Sequence, residues 1–402
     1  MHPLVATATL KITAGRTDLF WEEVADIGTP LVEPVSESVS EVTFLARLPA
    51  GAEYLVLSGV TKRPEDGRMA RLAGTDICYL TLEIRNDRRV SYTFAADLPL
   101  VDPAVDPAAR KMLEAHLAHN PPLPDPFSRT KIHLARADST PFFSVLAMPD
   151  APPQPYADKR PGIARGTLHH HRLTSSSIGG ERTVIVYTPP QYERGTRLPV
   201  LLAFDGAGYV SRHALHRTLD NLLAERRIEP MLALLVEPVS VATRSQEYGL
   251  DPRVIDYMAG ELFDWLDTEY GASRNPVHNI AAGCSLGGLT SAFLTLRHPD
   301  LFGNCLSQSG SYWAGPGFHE REDYEPGWLI REYEKSPRLA VNFYLDVGTY
   351  EHPEFMVTTN RRMRDLLTAK GYRVVYQEFE GGHDHACWRG TLADGLFALA
   401  AA

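Results

Sequence analysis

Residues 279–293 read NIAAGCSLGGLTSAF and set one serine between two glycines, Gly283-Cys284-Ser285-Leu286-Gly287. A serine hydroxyl is a weak nucleophile until a neighbouring base takes its proton. Glycine two residues away on either side suits a sharp, strained turn from strand to helix, which lifts the hydroxyl clear of a sheet edge. A side chain at Gly283 or Gly287 is expected to collide with neighbouring backbone there. The five-residue pattern alone is common. Its context is more telling: an apolar run, VHNIAAG, precedes it and a helical run, LGGLTSAFLTLRHPD, follows. The positive end of that helix favours a developing oxyanion. The competing reading is a tight packing turn with an idle serine, and the flanking pattern weighs against it.

A nucleophilic serine needs a base, an acid and an oxyanion hole. The segment EFEGGHDHACWR (378–389) offers His383 on a glycine-flexed loop, and His385 as a rival without the Gly-Gly lead. His385 reads better as a loop or packing histidine. The acid, which fixes the tautomer of the histidine, should follow the strand-like NFYLDVGTYEH. Glu351, just past the strand end, is the expected choice. Asp346 falls within the strand and reads as structural, and some serine esterases work with serine and histidine alone. The chain order Ser285, Glu351, His383 is that of α/β-hydrolases. One oxyanion donor is expected from the backbone N–H of Leu286. The other is expected from Gly206 or Ala207, after LLAFDG.

These residues need a scaffold that alternates strands with helices, and residues 182–383 supply one. RTVIVYTPP, LPVLLAFDG, PMLALLVEP, VHNIAAG, FGNCLSQSGSYW, AVNFYLDVGTY and YRVVYQEFEGGH read as strands. HRTLDNLLAERRI (216–228), PRVIDYMAGELFDWLDTEYG (252–271) and MVTTNRRMRDLLTAKG (356–371) have helical spacing. Compact apolar strands between helices imply a doubly wound, mostly parallel sheet buried on both faces.

The first portion has a different grammar. SEVTFLARLPAGAEYLVLSGV (38–60) alternates apolar and polar residues around Pro49-Ala50-Gly51, and GTDICYLTLEIRNDRRVSYTFAA (74–96) does so around an Asn86-Asp87 turn. Short alternating strands of this kind predict a small all-β sandwich. Residues 98–126 and 149–161 are rich in proline and predict extended connectors. The expected domains are therefore 1–155, all-β with its linker, and 156–402, α/β.

Composition narrows the partners. The net charge is −10 with no long basic run, so neither nucleic acid nor an anionic membrane surface is expected. No apolar run reaches the roughly 20 residues of a membrane helix. The N-terminus lacks the pattern of a secretory signal, which points to the cytoplasm. Four cysteines, 78, 284, 305 and 387, have no paired spacing and read as reduced thiols. Cys284 is expected to pack under the turn. His169-His170-His171 alternate faces beside a strand, so they read as a solvated run rather than a metal site. The RRMR of residues 361–364 reads as a solvated helix face.

The catalytic half resembles the enterochelin (ferric enterobactin) esterases of the α/β-hydrolase superfamily. RTVIVYTPP, LLAFDGAGYV, HNIAAGCSLGGLTSAFLTLRHPDLFGNCLSQSGSYW, DVGTYE and GGHDHACWRG carry the resemblance. VTFLARLPAG, LAGTDICYLTLEI and SYTF carry a looser one for the N-terminal half. Position 78 is cysteine where the family often has tryptophan, and residues 1–37 have no counterpart. The resemblance implies an α/β-hydrolase domain after the all-β domain, and hydrolysis of a catecholate trilactone siderophore with Ser285 and His383 as nucleophile and base. It implies no metal cofactor, because any iron belongs to the small-molecule substrate. It places Arg244, within ATRSQEYGLDP, where a family arginine can hold catecholate oxygens. The alternative there is an Arg244–Glu247 surface pair. Trp388 and Arg389 line the pocket or anchor the His383 loop. Two rival functions remain: a feruloyl or carbohydrate esterase, and a siderophore-binding module that does not turn over.

Overall fold

The computed structural model describes residues 17–101, 107–133, 142–320 and 324–400. The chain divides into two compact units, Met1–Pro152 and Pro153–Ala402.

Among the described residues, the first unit is built on eight strands: β1 (Leu31–Pro34), β2 (Val39–Arg47), β3 (Leu55–Ser58), β4 (Ala70–Arg71), β5 (Ile77–Arg85), β6 (Arg89–Ala96), β7 (Lys131–His133) and β8 (Phe142–Ala147). They form two four-stranded antiparallel sheets, ordered β1-β2-β5-β4 and β3-β6-β8-β7. Val42, Phe44 and Ala46 of β2 meet Leu55 and Leu57 of β3 and Val90, Tyr92 and Phe94 of β6 in one core. The two-residue period of these side chains is the alternation seen in the sequence. The turns at Pro49-Ala50-Gly51 and Asn86-Asp87 do not close hairpins. Each carries the chain from one sheet to the other. Asn86 shows why: it is buried, it accepts a hydrogen bond from Ser40 Oγ at 2.7 Å, and it donates to the Glu37 carbonyl at 3.0 Å. This pins the corner to β2.

One expectation for this unit needs correction. The proline-rich stretch 98–126 holds a helix, Pro107–His119. Pro107 occupies its first position, where the missing N–H costs nothing. The preceding PAVD of the stretch lies outside the described residues. A second helix, Thr17–Ile27, buries Phe20, Trp21 and Val24.

The second unit holds an eight-stranded sheet. Its strands are β9 (Thr167–Thr174), β10 (Glu181–Thr188), β11 (Val200–Phe204), β12 (Leu232–Val236), β13 (Ile280–Cys284), β14 (Asn304–Gln308), β15 (Asn342–Gly348) and β16 (Arg373–Phe379). The order is β16-β15-β14-β13-β11-β12-β10-β9, parallel from β16 to β12 and antiparallel at the β10-β9 edge. Alternate residues of the central strands serve opposite faces. Val200, Leu202 and Phe204 join one core cluster and Leu201 and Ala203 the other. Both faces are covered, which is why these strands read as unbroken apolar runs. The helices Leu286–Arg297 and Thr359–Ala369 cover the first face, through Leu289, Phe293, Met363 and Leu367. The helices Leu215–Ala224 and His385–Ala400 cover the second, through Leu215, Leu219, Leu392 and Leu396.

The helix expected over 252–271 runs as Pro252–Tyr257 and Phe263–Tyr270 around a π turn at Met258–Leu262. The triple histidine lies within β9 and is not simply solvated. His169 Nε2 meets Thr188 Oγ1 at 3.0 Å and His171 Nε2 meets the Tyr270 hydroxyl at 2.7 Å, while His170 is exposed. His169 and His171, two residues apart, share one face and both pack near Tyr270, while His170 points to the other. RRMR is also more tied than expected, since Arg361 pairs with Glu378 and Met363 is buried.

Candidate active site

The sheet positions the site at the carboxyl ends of its parallel strands, the edge where such folds hold ligands. Gly206 and Ala207 follow β11, Ser285 follows β13, Glu351 follows β15 and His383 follows β16.

Ser285 sits at φ 59°, ψ −123°, outside the regions that serine ordinarily occupies, directly before the helix Leu286–Arg297. Strain of this kind costs about 1–3 kcal/mol and persists where packing over-determines it. Here the Ser285 N–H donates to the Gln308 carbonyl at 2.9 Å, and the Ser285 carbonyl accepts from Gly288, Leu289 and Ser311. A Cβ on Gly283 would lie 2.2 Å from the carbonyl carbon and oxygen of Gly287, so only glycine permits the turn. Gly287 differs from expectation. A Cβ there would meet the side chains of Phe204 at 3.3 Å and Asp205 at 3.7 Å, not backbone. The tighter neighbour is Gly288, whose Cβ would fall 2.6 Å from Ser307 Oγ. Leu286 opens the helix, where the first N–H groups have no acceptor within the helix itself.

His383 Nδ1 lies 2.7 Å from Glu351 Oε2. The Glu351 side chain is fully buried, whereas that of His383 is 40% exposed. The other carboxylate oxygen, Oε1, accepts from Gly348 N–H at 2.8 Å and from Ser309 Oγ at 2.5 Å. The loops that carry the pair are laced together: Thr349 N–H donates to the Phe379 carbonyl and Tyr350 N–H to the Gly381 carbonyl, both at 2.9 Å. A Cβ on Gly348 would fall 2.3 Å from the Gly381 carbonyl oxygen, so glycine admits this approach. Asp346 is buried within β15 and accepts from Ser309 N–H at 3.1 Å. Burial pushes its carboxyl up to about 7.

Ala207 does not offer a free oxyanion donor. Its N–H donates to Glu237 Oε1, so Ala207 can serve an oxyanion only when that carboxylate yields. Burial raises the Glu237 carboxyl above its ordinary value, against the Ala207 hydrogen bond that favours its charge. Gly206 is packed so closely on Leu235 that a Cβ would lie 2.6 Å from the Leu235 carbonyl carbon.

Arg244 is not the partner of Glu247. It forms a two-pronged pair with Asp205, Nε to Oδ1 at 2.7 Å and Nη2 to Oδ2 at 2.5 Å. Glu247 is taken by buried Arg182 at 2.7 Å and by Thr243 Oγ1. Trp388 is buried, with its ring edge-on to His383 at 4.7 Å between centroids. Its indole N–H donates to Ser309 Oγ at 2.9 Å. Arg389 Nη2 donates to the Ala157 carbonyl at 3.2 Å.

His385 is bonded to other groups. It opens the last helix, accepts from Arg212 Nη1 at Nε2 (2.9 Å), and meets His213 Nε2 through Nδ1 at 2.8 Å. Burial holds His213 down to about 3 and His385 well below the ordinary imidazole value. Among the described residues, His213, Cys284 and His385 bring potential metal-ligand atoms within 4.8 Å of one another. The Arg212 guanidinium claims the Nε2 lone pair of His385, which leaves its Nδ1–H pointing at His213. That is a neutral hydrogen-bonded chain, and its flanking positive charge opposes a cation. Cys284 packs under the turn with Phe379, Cys387 and Trp388, and burial raises its thiol far above the ordinary range. All four cysteines are buried thiols outside any disulfide.

Ser309 and Ser311 carry contacts that sequence reasoning missed. Ser311 Oγ lies 3.4 Å from Ser285 Oγ. The available signal was their position, at the carboxyl end of a central parallel strand.

Residues 175–399 match the family model described as "Putative esterase", and residues 41–157 match that described as "Enterochelin esterase, N-terminal". The chain belongs to the enterochelin esterase family. It is a carboxylic ester hydrolase with an all-β domain before an α/β-hydrolase domain. Two relatives are similar over nearly the whole length. The iron(III) enterobactin esterase of Dickeya dadantii is 27% identical, with 98% of this chain and 94% of the relative covered. The iron(III) salmochelin esterase of Escherichia coli O6:H1 is 28% identical, with 99% and 98% covered. The solved enterobactin esterase from Shigella flexneri, in the presence of 2,3-di-hydroxy-N-benzoyl-serine, matches with a TM-score of 0.76 at 26% identity, covering 94% of this chain and 97% of that one. Among the described residues, no helix is long and apolar enough to cross a membrane.

Proposed function

We propose that this enzyme is a serine esterase that cleaves the ester bonds of a catecholate trilactone siderophore, iron-loaded or iron-free, and so aids release of iron in the cytoplasm. The observation that carries the chemistry is the 2.7 Å bond between His383 Nδ1 and a fully buried Glu351, at the same sheet edge as a strained Ser285. The substrate class rests on the whole-length similarity to esterases named for enterobactin and salmochelin.

In this reading Glu351 accepts the Nδ1–H of His383 and leaves Nε2 as the base. His383 takes the proton of Ser285 as Oγ bonds to the ester carbonyl carbon. The carbonyl oxygen becomes an oxyanion, held by the N–H of Leu286 and by that of Gly206, or of Ala207 once Glu237 withdraws. The tetrahedral intermediate collapses, and His383 gives its proton to the departing seryl alkoxide. Water then repeats the sequence on the acyl-enzyme and frees the acid product. Arg244 contributes to binding through the edge of its guanidinium that Asp205 does not use, against catecholate oxygens. Trp388 and Arg389 act as anchors of the His383 loop. The chain boundary between the domains falls near residue 155.

A substrate panel read by mass spectrometry tests this. Ferric and iron-free catecholate trilactones should be opened to linear products, and a feruloyl ester should be a poor substrate. Selective turnover of the feruloyl ester would replace the substrate assignment. Tight binding of the trilactone with no turnover would replace the enzyme with a binding module.

A further inference from the structure

Glu351 is held in place by an arrangement that the triad itself does not require. Its Oε1 accepts two hydrogen bonds, one from a backbone N–H within its own turn and one from Ser309, 42 residues earlier in the chain. Ser309 is fully buried and stands just past the end of β14, between the strands that carry Ser285 and Glu351. Its backbone has φ 46°, a left-handed conformation that glycine adopts without strain and serine does not. A serine kept at such a position points to a use for its side chain.

The direction of the hydrogen bonds follows from the donors. The indole N–H of Trp388 can only donate, and it donates to Ser309 Oγ at 2.9 Å. The single hydroxyl proton of Ser309 is then free to point at Glu351 Oε1. The chain runs Trp388 N–H to Ser309 O–H to Glu351 Oε1, with Oε2 left for His383 Nδ1. Trp388 also lies edge-on against the imidazole of His383. One indole thus touches the base directly and steadies the acid through one hydroxyl. The backbone of Ser309 is fixed in turn, because its N–H donates to both the carbonyl and the Oδ1 of Asp346.

We propose that Ser309 is a positioning residue for ester hydrolysis: it relays the Trp388 indole to Glu351 and fixes the carboxylate rotamer that orients His383. This deepens the reading of Glu351 as the acid of the Ser285 relay and rests on it. A hydrogen bond to a buried charged group is worth about ten- to hundredfold in the equilibrium it biases.

The test is steady-state hydrolysis of an activated aryl ester by Ser309→Gly, Ser309→Ala, Glu351→Ala and the double variant Ser309→Gly/Glu351→Ala. Glycine suits the backbone at this position, so Ser309→Gly removes the hydroxyl without adding strain and keeps the test usable if Ser309→Ala folds poorly. Ser309→Gly should lower kcat about 10- to 100-fold with KM within about twofold. In the Glu351→Ala background the same change should alter kcat less than about twofold, because the group it acts through is gone. A Ser309→Gly enzyme that keeps more than half of the wild-type kcat overturns the proposal. So does an equal loss in both backgrounds, which would mark Ser309 as merely structural. If instead Glu351→Ala itself keeps wild-type kcat, the relay reading falls, and the proposal falls with it.

Discussion

Replacing Glu351 by glutamine should trap His383 in the wrong tautomer. The wild-type carboxylate accepts from Gly348 N–H and Ser309 O–H at Oε1 and faces His383 Nδ1 with Oε2. A glutamine in the same cavity has one acceptor oxygen and one NH₂ group. The two donors at the Oε1 position require the amide oxygen there, so the NH₂ group must face His383. It then donates to Nδ1, the ring proton moves to Nε2, and Nε2 can no longer accept the proton of Ser285. The cost expected of such an inversion is about 10⁴-fold in kcat, or roughly 5–6 kcal/mol of activation free energy. Glu351→Ala leaves the tautomer free and should lose less, while stranding two buried donors at about 1–3 kcal/mol of stability each. The assay is kcat for an activated ester, with folding checked by thermal melting. A glutamine enzyme within about tenfold of wild type, or slower loss than in the alanine enzyme, would refute the assignment of donors and acceptors around Glu351.

Two further predictions concern the neighbouring charges. Asp346 is pushed up from 3.8 to about 7 by burial, so the folded protein keeps a proton that the unfolded chain releases. Stability should therefore be greatest below about pH 4 in this one term and fall as pH rises towards 7. Asp346→Asn should flatten that fall in a melting series from pH 5 to 8, with kcat within about threefold; an unchanged pH dependence would show that Asp346 is charged when folded. Arg244→Ala should raise KM for an anionic catecholate ester about 12- to 150-fold, the equivalent of the roughly 1.5–3 kcal/mol of a hydrogen bond to a charged group. It should change KM for a neutral aryl ester by less than about twofold, and equal effects on both would remove Arg244 from substrate binding.

Much of the catalytic scaffold is legible because burial on both faces writes itself as apolar runs. LPVLLAF and PMLALLV could be little else than central strands, and Gly283 before Ser285 marks a turn that a side chain would block. The features that stayed hidden depend on contacts distant in sequence. Nothing near Arg244 shows that Asp205, 39 residues away, would claim it in preference to Glu247. The use of Ser309 depends on Trp388, 79 residues later, and on Glu351. Prolines misled the reading of residues 98–126, because Pro107 begins a helix as readily as it ends one. The Asn86-Asp87 turn had hairpin chemistry, yet burial of Asn86 against Ser40 sends the chain into the second sheet. The last helix, His385–Ala400, carries apolar residues around most of its circumference, with Leu392, Leu396 and Leu399 buried, so it shows little helical periodicity.

The central claim is that Ser285 forms the covalent bond. Rapid quenching of the enzyme with an activated ester, followed by peptide mapping, reads this directly. The acyl group should appear on Ser285 in the wild type, and Ser285→Ala should carry no acyl group and lose about 10⁴-fold or more in kcat. An acyl group found on another residue, or a Ser285→Ala enzyme that turns over within tenfold of wild type, would contradict it.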